Sequence, residues 1–302
     1  MLRVMILLVL ACVSQSVYST ELIKDYLVNA QVYQWYGDLD ASQMWREKYP
    51  SAKVDLQEYS QGQPQGQSQG QWQPGAHHIL DITPLPENTP FITQVRVTLE
   101  FYPQEIHREK VVGYYLQQLL SFDQRSGDFN LSLQRVETES IEQDDFESRF
   151  MPSSDSNLIR GFLYRWAQGL DEPETDNLSV WLAQNAKISL AEAQIATIAD
   201  YQAYLAGLGL TQSRRAMKNL QINPLVATEI SDIEAAQNTV GAKAYQVEFE
   251  YQWSALNAQG ETEMANIGVV IRLTVEQGKV QIQFYQEQYL APKTDLGAEI
   301  RC

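Results

Sequence analysis

The phrase "ILDITPL" at Ile79–Leu85 returns as "NLQINPL" at Asn219–Leu225, with the same alternation of apolar and polar residues before Pro-Leu. A match this short arises by chance, so it counts only if the neighbouring segments also repeat in the same order. The neighbours that match are "YQWYGDLD" (Tyr33–Asp40) with "YRWAQGLD" (Tyr164–Asp171), and "TQVRVTLEF" (Thr93–Phe101) with "YQVEFEYQW" (Tyr245–Trp253). The sequence therefore predicts two copies of one domain, residues 20–150 and 151–302.

The sequence of the second copy predicts that helices come before strands in this domain. Apolar residues recur at helical spacing from Leu158 to Leu170, with Asp155 or Ser156 as the N-cap residue. "DNLSVWLAQ" at Asp176–Gln184 suggests a second, short helix, and Ala191–Gly209 suggests a third. Glycine close to the end of the first and third segments is typical of a helix C-terminus.

Strands follow these helices. From Tyr245 to Trp253, aromatic and aliphatic residues alternate with Gln and Glu, which is the pattern of a sheet with one buried face. The segments Ile267–Leu273 and Val280–Phe284 alternate in the same way. The glycine-containing loops between them are typical of hairpin turns, so we expect an antiparallel meander.

This order resembles the nuclear transport factor two-like superfamily, which includes SnoaL-like cyclases and ketosteroid isomerase. The segments that carry the resemblance are Phe162–Leu190, "IADYQAYL" at Ile198–Leu205, and the strands from Tyr245 to Tyr285. The resemblance implies an α+β protein of two tandem cone-shaped domains, each with N-terminal helices packed on a curved antiparallel sheet. It also implies a pocket between the helices and the concave face of each sheet.

The first copy departs from this plan at "SQGQPQGQSQGQWQPG", Ser60–Gly75. A tract of Gln, Gly and Pro cannot bury an apolar stripe, so we expect a flexible loop where the second copy has its third helix. The first domain is therefore predicted to be degenerate, with the ligand site in the second.

The strand Val111–Leu120 is apolar on both faces, so something must cover its outer face. One hypothesis is that the two domains pack as an intramolecular pseudo-dimer, joined through Glu137–Glu147 and Met151–Ser156. The alternative is that a loop of the first domain covers this strand.

The N-terminus predicts export. Arg3 precedes an apolar run, Val4–Val13, that is too short to span a bilayer, and the context before Thr20 suits cleavage after Ser19. Residues 1–19 are therefore predicted to be a signal peptide, which favours a periplasmic location. The alternative way of processing the N-terminus is lipidation of Cys12. The segment "VLAC", which ends at Cys12, resembles a lipobox, and a lipobox would make the protein a lipoprotein.

Composition narrows the classes of partner. Acidic residues outnumber basic ones by 38 to 22, and the net charge of -16 disfavours nucleic-acid binding. No later segment is apolar enough to suggest an integral membrane span. No cofactor is predicted, and a metal site is not expected, because the chain has only three histidines and no cluster at ligand spacing.

Aromatic and acidic side chains of the second domain are the candidates for lining its pocket: Trp166, Asp171, Trp181, Tyr201, Tyr204, Tyr251 and Trp253. The strand acids Glu248 and Glu250 alternate with the aromatic row and should point away from the pocket. We therefore expect no buried acid on a strand that faces the pocket. In the first domain, either His77 or His78 could face a pocket as a base, but not both, because adjacent residues of a strand point to opposite faces.

These observations favour an exported, non-catalytic protein that binds a small apolar ligand or a protein partner, with no catalytic residue assigned. A lyase or isomerase of the SnoaL or ketosteroid-isomerase kind is the first alternative, and a structural envelope protein with filled pockets is the second. A Tyr or His beside a buried acid would favour the enzyme, whereas an apolar cavity with one or two polar groups would favour binding.

Overall fold

The computed structural model describes residues 26, 28–40, 53–54, 75–86, 92–103, 110–123, 129–173, 177–191, 195–225 and 242–290. The chain divides into two compact units, with Thr20–Tyr164 in the first unit and the residues from Arg165 onward in the second unit. The predicted signal peptide, Cys12 and residues 60–74 of the glutamine-rich tract lie outside the described residues.

The first unit combines a helix, α1 (residues 28–40), with a five-stranded sheet. Its strands are β1 (Lys53–Val54), β2 (Gly75–Pro84), β3 (Ile92–Pro103), β4 (Lys110–Asp123) and β5 (Phe129–Glu142). The strand order is β1-β5-β4-β3-β2, antiparallel throughout except that the short β1 runs parallel to β5. The helix buries an apolar face against β3 and β4, which forms the core of this unit.

A long helix, α2 (Gln143–Asp171), follows β5, and the division between the units falls within it. The later elements are a 3-10 turn (Leu178–Trp181), β6 (Leu182–Ser189), α3 (Ile198–Gly207), β7 (Thr211–Pro224), β8 (Lys243–Leu256), β9 (Thr262–Glu276) and β10 (Lys279–Leu290). Their sheet has the order β6-β10-β9-β8-β7, again with the first strand parallel to the last. The two sheets therefore share one topology, and the predicted α+β class is confirmed.

One prediction about the junction was wrong. The joining segments Glu137–Glu147 and Met151–Ser156 lie within β5 and α2, because β5 continues to Glu142 and α2 begins at Gln143. Neither Asp155 nor Ser156 is therefore the N-cap of this helix. The predicted domain boundary after residue 150 stays a prediction.

In the second copy, the predicted short helix at Asp176–Gln184 is reduced to the 3-10 turn, after which the chain enters β6. The third helix begins later than predicted, at Ile198, where the Thr197 hydroxyl accepts a hydrogen bond from the Asp200 backbone N–H. Such a bond is a standard N-cap, and it fixes the start of α3. The strands predicted around Tyr245, Ile267 and Val280 are all present.

In the first unit, α1 and the N-terminal part of α2 pack closely because glycines lie at their crossing. A Cβ on Gly161 would lie 2.9 Å from the backbone nitrogen of Gln34, and a Cβ on Gly37 would lie 2.9 Å from the backbone nitrogen of Leu158. Both separations are shorter than a carbon atom tolerates, so the absence of a side chain allows the two helices to approach each other.

The opening phrases lie on corresponding edge strands, β2 and β7, but they are shifted in register. Pro84 pairs with Val95 and Pro224 pairs with Tyr245, whereas the matched segments of β3 and β8 equate Val95 with Val247. The phrases are therefore displaced by two positions, from Val247 to Tyr245. Bulges in β2 and β7 allow such displacements without changing the strand order.

Candidate functional site

The second unit has a pocket with a volume of about 270 Å³. It is formed by the end of α2, the C-terminal part of α3 and the start of β7. Its wall is part apolar and part polar, and the lining residues are Leu170, Asp171, Glu172, Pro173, Leu205, Ala206, Leu210 and Ser213. Gly209, which follows α3 and has φ +62°, lets the chain return directly into β7.

Asp171 is the buried polar group of this pocket. Its side chain is only 6% exposed, and its Oδ1 atom accepts a hydrogen bond of 2.8 Å from the Ser213 hydroxyl and forms an ion pair with Arg215. The indole N–H of Trp253 donates to the Ser213 oxygen at 2.9 Å, so the hydroxyl is held in place. The second oxygen of Asp171, Oδ2, is buried and has no hydrogen-bond partner among the described residues.

Burial raises the pKa of Asp171, and the Arg215 guanidinium and the Ser213 hydroxyl oppose that rise. Arg215 is itself buried, which disfavours its charged form. The carboxylates of Asp171 and Glu287 outweigh this effect, so the pKa of Arg215 lies above its ordinary value. The result is a charged arginine enclosed by acids inside the unit, with its guanidinium 5.8 Å from the ring centre of Tyr251.

Glu287 is the second buried acid of this unit, and its side chain accepts hydrogen bonds from the hydroxyls of Tyr201, at 2.9 Å, and Tyr285. Burial raises the pKa of Tyr201 well above its ordinary range, and the charge of Glu287 raises it further. Glu287 does not line the pocket described above, so the expectation that no buried acid lies at a pocket-facing strand position stays a prediction. A bulge after Ile282 changes the phase of β10, so Tyr285 and Glu287 turn inward in place of Phe284.

Of the predicted pocket residues, Asp171 lines the pocket described above. Trp166, Tyr201 and Tyr251 are buried in the interior of the unit, where Trp166 lies 5.0 Å from Tyr285, centre to centre. Tyr204 is exposed and stacks on Tyr201 at 6.4 Å. Trp181 and Trp253 are half-buried. The assignment of these side chains to a ligand site stays a prediction.

The first unit has a buried acid–base pair of its own. The Nδ1 atom of His77 lies 2.6 Å from Oδ1 of Asp40, and the two side chains are 0% and 1% exposed. The other oxygen of Asp40 accepts from the His77 backbone N–H at 3.2 Å and from the Asn157 amide at 3.1 Å. Burial raises the pKa of Asp40, and the contacts with His77 oppose that rise. His78 lies on the opposite face with a half-exposed side chain, as the strand pattern predicted.

The two pairs occupy corresponding places. Asp40 and Asp171 end the matched helical segments. His77 pairs with Phe101 in the first sheet, and Arg215 pairs with Trp253 in the second. Phe101 and Trp253 are the last residues of the two matched strand segments. Each unit therefore joins the end of its first helix to its edge strand through an aspartate and a basic residue. The sequence did not point to Arg215, because its neighbours in β7 are mostly polar and typical of an exposed strand.

Two further features bear on the chemistry. Among the described residues, no group of three or more His, Cys, Asp and Glu side chains is placed to hold a metal ion. None of the helices in the described ranges combines the length and the apolar character needed to cross a membrane.

No protein-family model and no curated protein matches this chain. Solved structures that match include Aln2 from a Streptomyces species, at 12% identity over 44% of this chain and 88% of its own, with a TM-score of 0.33. An NTF2-like protein with a cystatin-like fold from Novosphingobium aromaticivorans matches at 10% identity over 53% of this chain and 98% of its own, with a TM-score of 0.35. The Mtr2–Mex67 M domain complex of C. albicans matches at 14% identity over 46% of this chain and 97% of its own, with a TM-score of 0.30. The matched structures include one described as NTF2-like, the superfamily that the sequence resembles.

Proposed function

We propose that this protein is a non-catalytic binding protein for a small apolar ligand, which the pocket of the second unit holds. The observation that carries the proposal is the composition of that pocket, where five apolar side chains lie beside the polar residues Asp171, Glu172 and Ser213. Pockets that bind small molecules are mostly apolar, with a few polar groups that orient the ligand. The volume of about 270 Å³ lies just below the usual range of about 300–1,000 Å³, so the ligand is small.

The contacts of Asp171 suit a binding role. The ion pair with Arg215 and the hydrogen bond from Ser213 hold one of its two oxygens in place. They also oppose the rise that burial causes in the pKa of Asp171. The carboxylate is therefore fixed in position, as a group that orients a ligand must be.

The proposal is tested with 2-methoxynaphthalene, a neutral and mainly apolar probe, by ligand-observed NMR and calorimetry on the full chain. Ala206 lines the pocket and is exposed, so Ala206→Trp should fill the pocket without disturbing the core, and binding should fall at least about tenfold. Ala199→Trp is the matched control, because Ala199 lies two turns earlier on the same helix, is exposed and does not line the pocket. Equal binding by wild type and both variants would place the probe elsewhere and contradict the proposal.

A second candidate function comes from the first unit. The Asp40–His77 pair is a histidine beside a buried acid, the arrangement that would suit a lyase or isomerase. Both side chains are almost fully buried, so a substrate could reach them only after the surrounding residues move. Substitution of His77→Gln would remove any such activity while leaving 2-methoxynaphthalene binding in the second unit unchanged.

A structural role is the third candidate, because Trp166, Tyr251 and Tyr285 fill much of the interior of the second unit. This candidate predicts that no small molecule binds the folded chain at all. We further propose that the protein is exported to the periplasm, because the apolar run Val4–Val13 is followed by a cleavage context that ends at Ser19. N-terminal sequencing of the mature protein would distinguish cleavage after Ser19 from lipidation at Cys12.

A further inference from the structure

The two sides of the pocket in the second unit differ in how firmly they are packed. One side is the end of α2, where Leu170 is 1% exposed and the Asp171 carboxylate is paired with Arg215. The other side comes from residues 203–214, which we call the α3–β7 segment. This segment supplies half of the lining residues: Leu205, Ala206, Leu210 and Ser213.

Every residue of the α3–β7 segment is half-buried or exposed. The chain is fixed on either side of it, because Tyr201 and Gln202 are buried before the segment and Arg215 is buried after it. Three residues within the segment are half-buried, and all of them line the pocket: Leu205, Leu210 and Ser213. The side chains of the segment therefore pack on the rest of the unit mainly at the pocket.

Hydrogen bonds from buried side chains fasten α3 just before the segment. The Tyr201 hydroxyl donates to the carboxylate of Glu287 at 2.9 Å. The Gln202 amide donates to the carbonyl oxygen of Gly169 at 3.0 Å. These two contacts hold the N-terminal half of α3 against the sheet and against α2.

The far end of the segment is irregular. The backbone has φ +62° at Gly209 and φ 55° at Gln212, a conformation that residues other than glycine seldom adopt. The pairing of β7 with β8 shifts its register before Arg214. The Ser213 hydroxyl fastens this end, because it donates to the Asp171 carboxylate at 2.8 Å.

Segments with few buried contacts open more easily than the core of a fold, and they often cover ligand sites. We infer that the α3–β7 segment is a movable wall, which swings away from the end of α2 to admit a ligand and then closes over it. Leu205 and Leu210 are half-buried, so an apolar ligand buries more of their surface in the closed state and favours that state. The role of this wall rests on the proposed binding function of the same pocket.

Thiol labelling of the full chain with iodoacetamide measures the opening. Leu170→Cys places a thiol under the movable wall, and Leu273→Cys places one at an equally buried site of β9 that does not line the pocket. Mass spectrometry locates the label, so the native Cys12 and Cys302 do not interfere. The thiol at position 170 should react at least about tenfold faster, because opening of the wall exposes it. Equal rates at the two positions would overturn the inference.

Two substitutions within the segment test how it is fastened. Ser213→Ala removes the hydrogen bond to Asp171, so it should raise the labelling rate at position 170 about threefold or more. Thr211→Ala is the matched control, because it removes an exposed hydroxyl of the same segment, and the rate should stay within about twofold. A rate that Ser213→Ala leaves unchanged would contradict the assigned closure against the end of α2.

Hydrogen–deuterium exchange on the wild type supplies a second measurement, which decides if Leu170→Cys does not fold. Amides of residues 205–213 should exchange at least about tenfold faster than those of the central strand β9. Saturation with 2-methoxynaphthalene should slow the exchange of the segment at least about fivefold and leave β9 unchanged, because the bound probe stabilises the closed state. Exchange as slow as that of β9 in the free chain would exclude a movable wall.

The probe also separates this inference from the proposed function. Binding of 2-methoxynaphthalene, measured by calorimetry, without slower exchange of the segment would overturn closure over the ligand while leaving binding intact. Absence of binding would overturn the proposed function, whereas the labelling of the free chain would still decide whether the wall opens.

Discussion

Removal of the buried arginine alone, by Arg215→Met, should strongly destabilise the second unit. Arg215 is 1% exposed and is the cationic partner of Asp171, which is itself 6% exposed. The substitution keeps the length of the side chain but leaves the Asp171 carboxylate buried without its counter-ion. Breaking a buried ion pair from one side costs about 3–5 kcal/mol. That cost is a large share of the roughly 5–15 kcal/mol by which folded proteins are typically stable.

The double variant Asp171→Leu with Arg215→Met separates the ion pair from the packing. If the cost of the single substitution comes from an uncompensated charge, the replacement of both partners by apolar residues should recover at least about half of it. Arg272→Met is the control, since Arg272 is half-buried, bonds Gln246 at 3.2 Å and lies 5.5 Å from the ring centre of Phe284. That change should cost no more than about 1 kcal/mol.

Urea denaturation followed by tryptophan fluorescence and circular dichroism measures these differences. With a urea dependence of about 1–3 kcal/mol per molar, the single substitution should lower the unfolding midpoint of the second unit by about 2 M. Two results would refute the reasoning. The first is a loss below about 1 kcal/mol for Arg215→Met, and the second is a double variant that is at least as unstable as the single one.

Three further substitutions test other contacts. Gly161→Ala should lower the free energy of unfolding by about 1–3 kcal/mol, because its Cβ would meet the Gln34 backbone at 2.9 Å. Gly207→Ala, which places its Cβ in open space, should raise the free energy of unfolding by about 0.5–1 kcal/mol. Equal melting temperatures of the two variants would contradict the tight helix crossing. Tyr285→Phe should cost about 1–3 kcal/mol because Glu287 loses a donor, while Tyr289→Phe, 54% exposed, should cost less than about 0.5 kcal/mol in the same melts. Burial raises the pKa of Asp40, so its ionisation opposes folding, and the free energy of unfolding should fall as pH rises above the ordinary value of 3.8. Asp40→Asn should flatten this dependence in urea titrations between about pH 3 and 7, and an unchanged slope would exclude Asp40 as its source.

The strands and their order were predictable because the alternation of apolar and polar residues is a local property of the sequence. In β8, every second residue from Tyr245 to Tyr251 is buried, as the sequence pattern predicts. The repeated order of segments also predicted two sheets of one topology, although the sequence matches were displaced by two positions on the edge strand. Bulges cannot be recognised in such short matches, because one inserted residue leaves composition and approximate spacing unchanged.

The buried charges were predictable only in part. Asp171 was a candidate because it follows the helical segment of the second copy, and it does line the pocket. Arg215 and Glu287 were missed because their burial depends on partners that are distant in the sequence. Arg215 meets the end of α2, and Glu287 meets Tyr201 of α3 and Tyr285 of its own strand. A residue pattern shows which face of a strand is apolar, but not where a charge finds a counter-ion across the fold.

The two acid–base pairs differ in their surroundings. Asp40 and Asp171 hold corresponding positions, and each contacts a basic residue of the edge strand. In the first unit, Asn157 and the His77 backbone N–H bond the second oxygen of Asp40, and its side chain is only 1% exposed. In the second unit, the Ser213 hydroxyl and the Arg215 guanidinium contact Oδ1 of Asp171, and this residue also lines a pocket. The duplicated pair is therefore enclosed in the first copy, whereas in the second copy its aspartate belongs to the wall of a pocket.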